Sequence, residues 1–174
     1  YGTASAGKHE LVKRYGAIPI DYRSEDFVER IDRETGGAGV DVVFDTIGGR
    51  NWSRSYQCVK RGGILIAFGA LQITTGEESV PSILLGFFKL MAGWRLLPDG
   101  RKTTFYNIQT RREKHPQEFK DDVSALFQML REGKLQPAIA EVVPLDDVVE
   151  VHRRIDAAQI AGKVVLDCTL ARRV

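Results

Sequence analysis

Residues 16–49, reading GAIPIDYRSEDFVERIDRETGGAGVDVVFDTIGG, constrain the fold more than any other part of the chain. Residues 17–21 are a short apolar run behind Gly16. Residues 25–35 have helical periodicity, with Phe27, Val28 and Ile31 on one face, and Gly36, Gly37 and Gly39 stop the helix. Residues 40–44 are a near-continuous, β-branched apolar run, the pattern of a parallel strand buried on both faces. It ends in Asp45-Thr46-Ile47-Gly48-Gly49, a polar, flexible loop at a strand's carboxyl end. Open α/β sheets bind their ligands at that edge. Strand, helix and strand at this spacing make half of a doubly wound α/β domain.

The rhythm extends in both directions. Tyr1-Gly2-Thr3-Ala4 reads as the end of a strand, and Ser5 is placed to cap a helix over residues 10–15 that turns Leu11 and Val12 inward. Residues 52–60 read as a helix burying Trp52, Tyr56 and Val59, ended by Gly62-Gly63, and residues 64–68 as the next buried strand, closed by Gly69. The alternation breaks at residues 71–100, where a polar loop (74–79) precedes an apolar run (81–97) carrying Phe87, Phe88, Leu90, Met91 and Trp94. So many large apolar groups on a surface segment need cover, from their own domain or from a second subunit; the subunit interface is the expectation. Residues 102–108 have strand character. Residues 119–131 are an amphipathic helix with Phe119, Val123, Leu126, Phe127 and Leu130 on one face, stopped by Gly133. Residues 139–143 read as a strand, Asp146 or Asp147 caps a helix through Ile155, and residues 163–167 are a last strand.

Composition excludes several classes. A net charge of +2 is too small to argue for nucleic acid, and the basic cluster at 101–114 reads as a solvated loop. Cys58 and Cys168 are far apart, with no CxxC and no Cys/His cluster, which speaks against zinc and disulfides and fits a reducing cytosol. The most apolar stretch, 83–97, contains Lys89 and Arg95 and falls short of the ~20 apolar residues a membrane span needs.

Five pieces stand in a telling order. They are Tyr1-Gly2-Thr3-Ala4-Ser5; Gly16-Ala17 followed by Ile20-Asp21-Tyr22-Arg23; Gly39-Val40-Asp41-Val42-Val43-Phe44-Asp45 followed by Gly48-Gly49; Gly62-Gly63 before Ile64; and Val151-His152 with Gly162-Lys163-Val164-Val165-Leu166. Together they resemble the medium-chain dehydrogenase/reductase superfamily, and within it the zinc-free, quinone-oxidoreductase-like branch. The resemblance covers nearly the whole chain, and the third piece is its most specific part. It implies a Rossmann-like, doubly wound parallel sheet, truncated at its first strand. The family's substrate domain, first strand and glycine-rich pyrophosphate loop come before the equivalent of Tyr1. On this expectation residues 1–133 are most of a coenzyme domain, and 134–174 a carboxyl-terminal segment that returns to the substrate domain.

The turn after the family's second strand distinguishes NAD from NADP, because a carboxylate there binds ribose hydroxyls and repels an extra phosphate. Here the turn is Ser5-Ala6-Gly7-Lys8-His9, with no acid before Glu10. Ser5 offers a hydrogen bond and Lys8 a positive charge. In similar quinone reductases a lysine and a tyrosine at the places of Lys8 and Tyr22 contact the 2′-phosphate, so the resemblance implies NADP(H). It places Asp45, Thr46, Ile47 and Gly48 beside the adenosine and its ribose, and Phe68, Gly69 and Ala70 near the nicotinamide ribose. Plain alternatives stay open: a solvated Lys8, a rim aromatic at Tyr22, Asp45 as a helix cap, the glycines as tight turns.

No general acid or base stands out. His152 reads as structural, His115 as a loop or cap residue, and His9 alone is near the expected ligand edge. That silence suits an enzyme whose nicotinamide carries the chemistry. Two functions compete. One is an NADPH-dependent reductase of quinones or α,β-unsaturated carbonyls, cytoplasmic, homodimeric through 81–97, and inactive as this chain alone. The other is a non-catalytic nucleotide-binding or protein-association module of the same fold. A zinc alcohol dehydrogenase is disfavoured by the absent Cys/His ligands.

Overall fold

The computed structural model describes residues 1–70 and 79–170. The expected polar loop at 74–79 thus lies, Ser79 apart, outside the described residues. The element order is β1 (Gly2–Ala4), α1 (His9–Arg14), β2 (Pro19–Asp21), α2 (Phe27–Thr35), β3 (Val40–Asp45), α3 (Arg50–Gln57) and β4 (Val59–Ala67). It continues with α4 (Val80–Met91), β5 (Lys102–Phe105), α5 (Ile108–Lys114), α6 (Pro116–Arg131), β6 (Ile139–Pro144), α7 (Val148–Asp156) and β7 (Lys163–Asp167). Every strand pair is parallel, in the sheets β1–β2, β3–β4–β5 and β6–β7. The architecture is α/β of the Rossmann type.

The sequence accounts for most of these boundaries. Asp26 starts α2, its side chain accepting from the amides of Val28 (2.7 Å) and Glu29 (3.4 Å), and Gly36 ends the helix in the left-handed region at φ 59°. Phe27 and Ile31 then pack with Ile20 of β2 and Cys58, with Val40 and Val43 of β3 against them. One helix therefore covers parts of two sheets. A second cluster joins Trp52 and Tyr56 of α3, Val59, Leu65 and Ala67 of β4, Leu90 of α4, and Trp94. Trp52 is fully buried, with Phe87 edge-on at 4.9 Å and Phe105 at 6.2 Å.

Several expectations are corrected. The helix expected over 52–60 ends at Gln57, and β4 begins at Val59, well before Ile64. Gly62-Gly63 lies inside this strand, where the register to β3 slips between Val40↔Val59 and Val42↔Ile64. A Cβ on Gly63 would stand 2.6 Å from the Asp41 carbonyl oxygen, so Gly63 serves close approach and not termination, while Gly62 takes the left-handed region at φ 78° with open space around it. Residues 40–44 are parallel to β4 as expected, but β3 is the edge of its sheet. Val42 (42%) and Phe44 (68%) are exposed, because α2, α3 and α4 cover only the face carrying Val43, Leu65 and Ala67. The strand at 102–108 stops at Phe105, and the basic cluster at 101–114 includes helix α5, capped by Asn107 through the amides of Gln109 and Thr110. Ser5 and Asp147 hold cap positions but make no side-chain cap hydrogen bond. The apolar run 81–97 is shared between α4 and a 3₁₀ turn, Gly93–Leu96; it buries Gly86, Leu90 and Trp94 and leaves Leu84, Leu85, Phe88 and Met91 exposed. On α6 the expected core face stays largely open, with Leu126, Phe127 and Leu130 exposed.

Candidate cofactor site

Parallel strands bring their carboxyl ends to one edge of a sheet, and all ten expected site residues lie at or just after such ends. They gather into two groups. At the first sheet, Ala4 pairs with Asp21 in register, which sets Ser5 beside Tyr22. Ser5 leads into the 3₁₀ turn Ala6–Lys8, closed by the Lys8 amide on the Ser5 carbonyl (2.8 Å). Lys8 is half-buried and Tyr22 is 53% exposed. Glu10, the first acid after β1, is held well below the usual carboxylate range by Lys13, which donates to it at 2.8 Å.

At the second sheet, Asp45 pairs with Ala67, and the Phe68 amide donates to the Asp45 carbonyl at 3.0 Å. The two following loops then lie backbone against backbone. A Cβ on Gly48 (φ 88°) would meet the Ala70 Cα at 2.7 Å, and one on Gly69 would meet the Thr46 carbonyl oxygen at 2.8 Å. Only glycine fits at either position. Thr46 and Phe68 are exposed, and Ile47, Gly69 and Ala70 half-buried.

Asp45 is 3% exposed. Its Oδ1 accepts from the amides of Ile47 (2.8 Å) and Gly48 (3.1 Å), and its Oδ2 from Ser55 Oγ (2.6 Å) and Asn51 Nδ2 (3.0 Å). These four donors anchor the loop to α3, so the carboxylate is engaged inside the fold. Burying a charge is tolerable only with such a set of donors. Sequence reasoning missed Ser55 and Asn51. The signal was available: Asn51 and Ser55 are four apart on a helix face, six and ten residues after Asp45.

The nucleotide fits these residues in kind: a cation and an exposed ring at the β1–β2 edge, and a loop pair with glycines that keep the backbone bare. No acid or base joins them. His9 Nε2 lies 3.3 Å from the Ala4 carbonyl, His115 heads α6 beside Glu118, and His152 is exposed. A cleft of about 280 Å³ lies at the opposite, amino ends of β3 and β4, lined by Val28, Ile31, Gly39, Cys58, Val59 and Arg101 among others, and contains none of the site residues. Above it Tyr56 donates to Asp99 (2.9 Å) and stacks on Trp94 at 4.5 Å. Burial, then Asp99, pushes the Tyr56 phenol up to about 12, and burial pushes the Cys58 thiol up to about 11.

The family model for a zinc-binding dehydrogenase matches residues 16–166. The chain belongs to this family. It is a quinone-oxidoreductase-like member of the medium-chain dehydrogenase/reductase superfamily. It is 28% identical over 176 residues to the synaptic vesicle membrane protein VAT-1 homolog of Danio rerio, covering 95% of this chain and 35% of that protein. It is 28% identical over 149 residues to quinone oxidoreductase 1 of Escherichia coli, covering 84% of this chain and 42% of that protein. A mycobacterial structure complexed with NADPH superposes with a TM-score of 0.69 at 27% identity, over 94% of this chain and 48% of its own. The chain thus spans less than half the length of these relatives. The family's zinc does not fit the residues described. Among them no three His, Cys, Asp or Glu side chains group to hold a metal, and Cys58 is buried beside the cleft while Cys168 is exposed after β7.

Proposed function

We propose that this chain is the coenzyme-binding part of an NADPH-dependent oxidoreductase whose substrate is a quinone or an α,β-unsaturated carbonyl. That it belongs with nicotinamide-dependent oxidoreductases follows from its family. The observation that carries the finer reading is the β1–β2 edge. The chain turns after β1 through Ser5 and Lys8 with no acid, next to an exposed Tyr22. Bound there, the nicotinamide cofactor supplies the hydride. Lys8 holds the 2′-phosphate by a charge-assisted hydrogen bond, with Ser5 and Tyr22 beside it. The loops 45–48 and 68–70 offer bare backbone to the adenosine and to the nicotinamide ribose, and Asp45 keeps the first loop in shape. Hydride addition to a quinone or activated enone leaves a stabilised anion that water can protonate, so no strong acid in this chain is required.

The test is the ratio of NADPH to NADH efficiency in the whole enzyme. Lys8→Ala is expected to lower that ratio about 10- to 100-fold, the worth of one charged hydrogen bond. The change should fall on KM, because the phosphate is remote from the hydride and is bound equally in ground and transition states. An unchanged ratio removes the main support for NADPH.

The division at residues 133/134, the cytoplasmic location and the inactivity of the 174-residue chain alone belong to the same proposal. One edge of β1 and one edge of β3 have no strand partner among the described residues, which suits a further strand with its phosphate loop. NADPH oxidation by this chain with a simple quinone would refute the inactivity. A second reading, a protein-association module, draws on the exposed stripe Val80, Leu84, Phe88 and Met91 along α4. The same stripe supports self-association; Phe88→Asp should then lower the mass measured by light scattering, and a monomeric wild type would end that idea.

A further inference from the structure

Asp45 reaches both loops of the second sheet, one through its side chain and the other through its main chain. Its Oδ1 accepts from the amides of Ile47 (2.8 Å) and Gly48 (3.1 Å), and its carbonyl accepts from the amide of Phe68 (3.0 Å). Beyond Phe68 the two loops lean on each other. A Cβ on Gly69 would stand 2.8 Å from the Thr46 carbonyl oxygen and 3.1 Å from the Thr46 Cα, and one on Gly48 would stand 2.7 Å from the Ala70 Cα. The loops therefore touch through backbone, with no pliable side chain at either glycine. A displacement of residues 46–48 is passed on to residues 69 and 70.

What holds Asp45 is α3. The helix starts directly after Gly49, whose φ of 56° lets the chain turn without slack. Asn51 and Ser55, one turn apart, converge on the other carboxylate oxygen: Ser55 Oγ donates to Oδ2 at 2.6 Å and Asn51 Nδ2 at 3.0 Å. The helix is itself fixed by Trp52, which is fully buried, and by Tyr56, which stacks on Trp94 at 4.5 Å. Donors carried on a packed helix hold their geometry better than donors on a loop. Ser55 is 4% exposed, so it acts only through Asp45. Removing its hydroxyl leaves a buried carboxylate short of one donor, and the carboxylate must shift to find another, taking the amides of Ile47 and Gly48 with it.

We infer that Ser55 and Asn51 are positioning residues for the hydride-transferring end of the nicotinamide cofactor. By holding Asp45 they set loop 46–48, and through it loop 68–70. The inference rests on the cofactor reading above and adds to it the residues that keep both loops in place. It separates two properties of the enzyme. Lys8 lies at the β1–β2 edge, in a different sheet, and sets the choice between cofactors. Ser55 and Asn51 set where the nicotinamide ribose rests, which bears on turnover.

The experiment has two arms and uses Ser55→Ala, Asp45→Asn, and Asp45→Asn combined with Asn51→Asp. In Asp45→Asn the new side-chain amide faces the Asn51 amide, donor against donor; Asn51→Asp restores an acceptor, so the same bond forms in reverse with the net charge unchanged. The first arm records amide chemical shifts of this chain without nucleotide. Ser55→Ala should move the signals of Gly69 and Ala70 as well as those of Ile47 and Gly48, and leave those of Ile20 and Ile31, in the other core cluster, in place. If Ser55→Ala fails to fold, the paired substitution carries the test: it should bring back the wild-type signals that Asp45→Asn displaces. The second arm measures steady-state kinetics of the whole enzyme. Ser55→Ala should lower kcat about 10-fold and leave the NADPH to NADH efficiency ratio within about 2-fold, and the paired substitution should recover most of what Asp45→Asn loses. Shifts confined to Ile47 and Gly48, an unchanged kcat in Ser55→Ala, or a paired variant no better than Asp45→Asn overturns the inference and leaves the cofactor reading standing. A wild-type enzyme that oxidises neither NADPH nor NADH overturns both.

Discussion

The β3–β4–β5 sheet and the β6–β7 sheet are built from the same kind of sequence, and they end in different states. Both are parallel, both come from short apolar β-branched runs, and both carry a register slip near the strand start. Around the first, α3, α4 and the 3₁₀ turn Gly93–Leu96 bring Trp52, Tyr56, Leu90 and Trp94 onto Leu65 and Ala67, and all six are buried. Around the second, α7 contributes Val151, and Arg154 ties it to Glu141 at 2.7 Å, yet Ile139, Val142, Val149, Ile155 and Val165 are exposed. The neighbouring α6 is equally bare on its apolar face. An apolar pattern states what a segment needs to bury, and burial requires a neighbour at the right place. The first sheet finds its neighbours within the described residues and the second finds few.

The widest contrast is in truncation. Trp52→Ala should cost about 3–5 kcal/mol in urea unfolding, because it empties the centre of the larger core. Phe127→Ala, at a 56% exposed position, should change stability by no more than about 0.5 kcal/mol. A large loss at Phe127 would show that α6 has a partner and would break the comparison.

Two glycines sharpen it next. Gly48 and Gly133 both have positive φ, 88° and 71°, so alanine strains the backbone at each by about 1–2 kcal/mol. At Gly133 nothing lies within 4 Å of the added methyl, whereas at Gly48 it meets the Ala70 Cα at 2.7 Å. Gly48→Ala should therefore be the costlier substitution by at least ~1 kcal/mol of added overpacking, and it should also weaken nucleotide binding. Equal melting points for the two variants would mean that the loops 45–49 and 68–70 are less tightly joined than described.

Alkaline pH gives a smaller, reversible contrast confined to the first region. Burial in the folded state raises the pKa of Cys58 from 9.0 to about 11 and of Tyr56 from 10.0 to about 12. Each group stays protonated in the fold at a pH where the unfolded chain has released its proton. The stability they contribute is full below about pH 9 and is lost progressively up to about pH 12. Melting temperature should fall over that window, and Tyr56→Phe should flatten its upper part. A wild-type profile that Tyr56→Phe leaves unaltered would contradict the buried position of the phenol.

The smallest effect is local to the second region. Ala158, just after α7, has φ 55°, and its amide closes the helix on the Ile155 carbonyl at 2.9 Å. Ala158→Gly should relieve that strain and raise stability by up to about 1 kcal/mol, read as a higher melting temperature. No gain would mean that this helix end is already frayed.

Much of the fold was legible because local rules act locally. Asp26 and Gly36 bound α2 by hydrogen bonds within a few residues, and short apolar runs mark β3, β4, β6 and β7. The strand ends that collect Ser5, Lys8, Tyr22, Thr46 and Phe68 follow from parallel pairing alone. Gly62-Gly63 was misleading, because a double glycine reads as a stop unless one knows that the Asp41 carbonyl lies 2.6 Å from where a Cβ would go. At Asp45 the sequence shows a carboxylate at a strand end, and only the structure shows Ser55 and Asn51 donating to it from the next helix.

The sequence by itself determined the α/β alternation, the bounds of α2 and the absence of an acid in the turn after β1, since each depends on side-chain chemistry within one or two turns of chain. Only the tertiary structure decided which apolar faces are covered, where two backbones come too close for a Cβ, and which residues meet at the β1–β2 edge. Those depend on distances between residues far apart in the chain: Arg54 reaches back to Asp26, Trp52 meets Phe87, and Ala4 aligns with Asp21, setting Ser5 beside Tyr22.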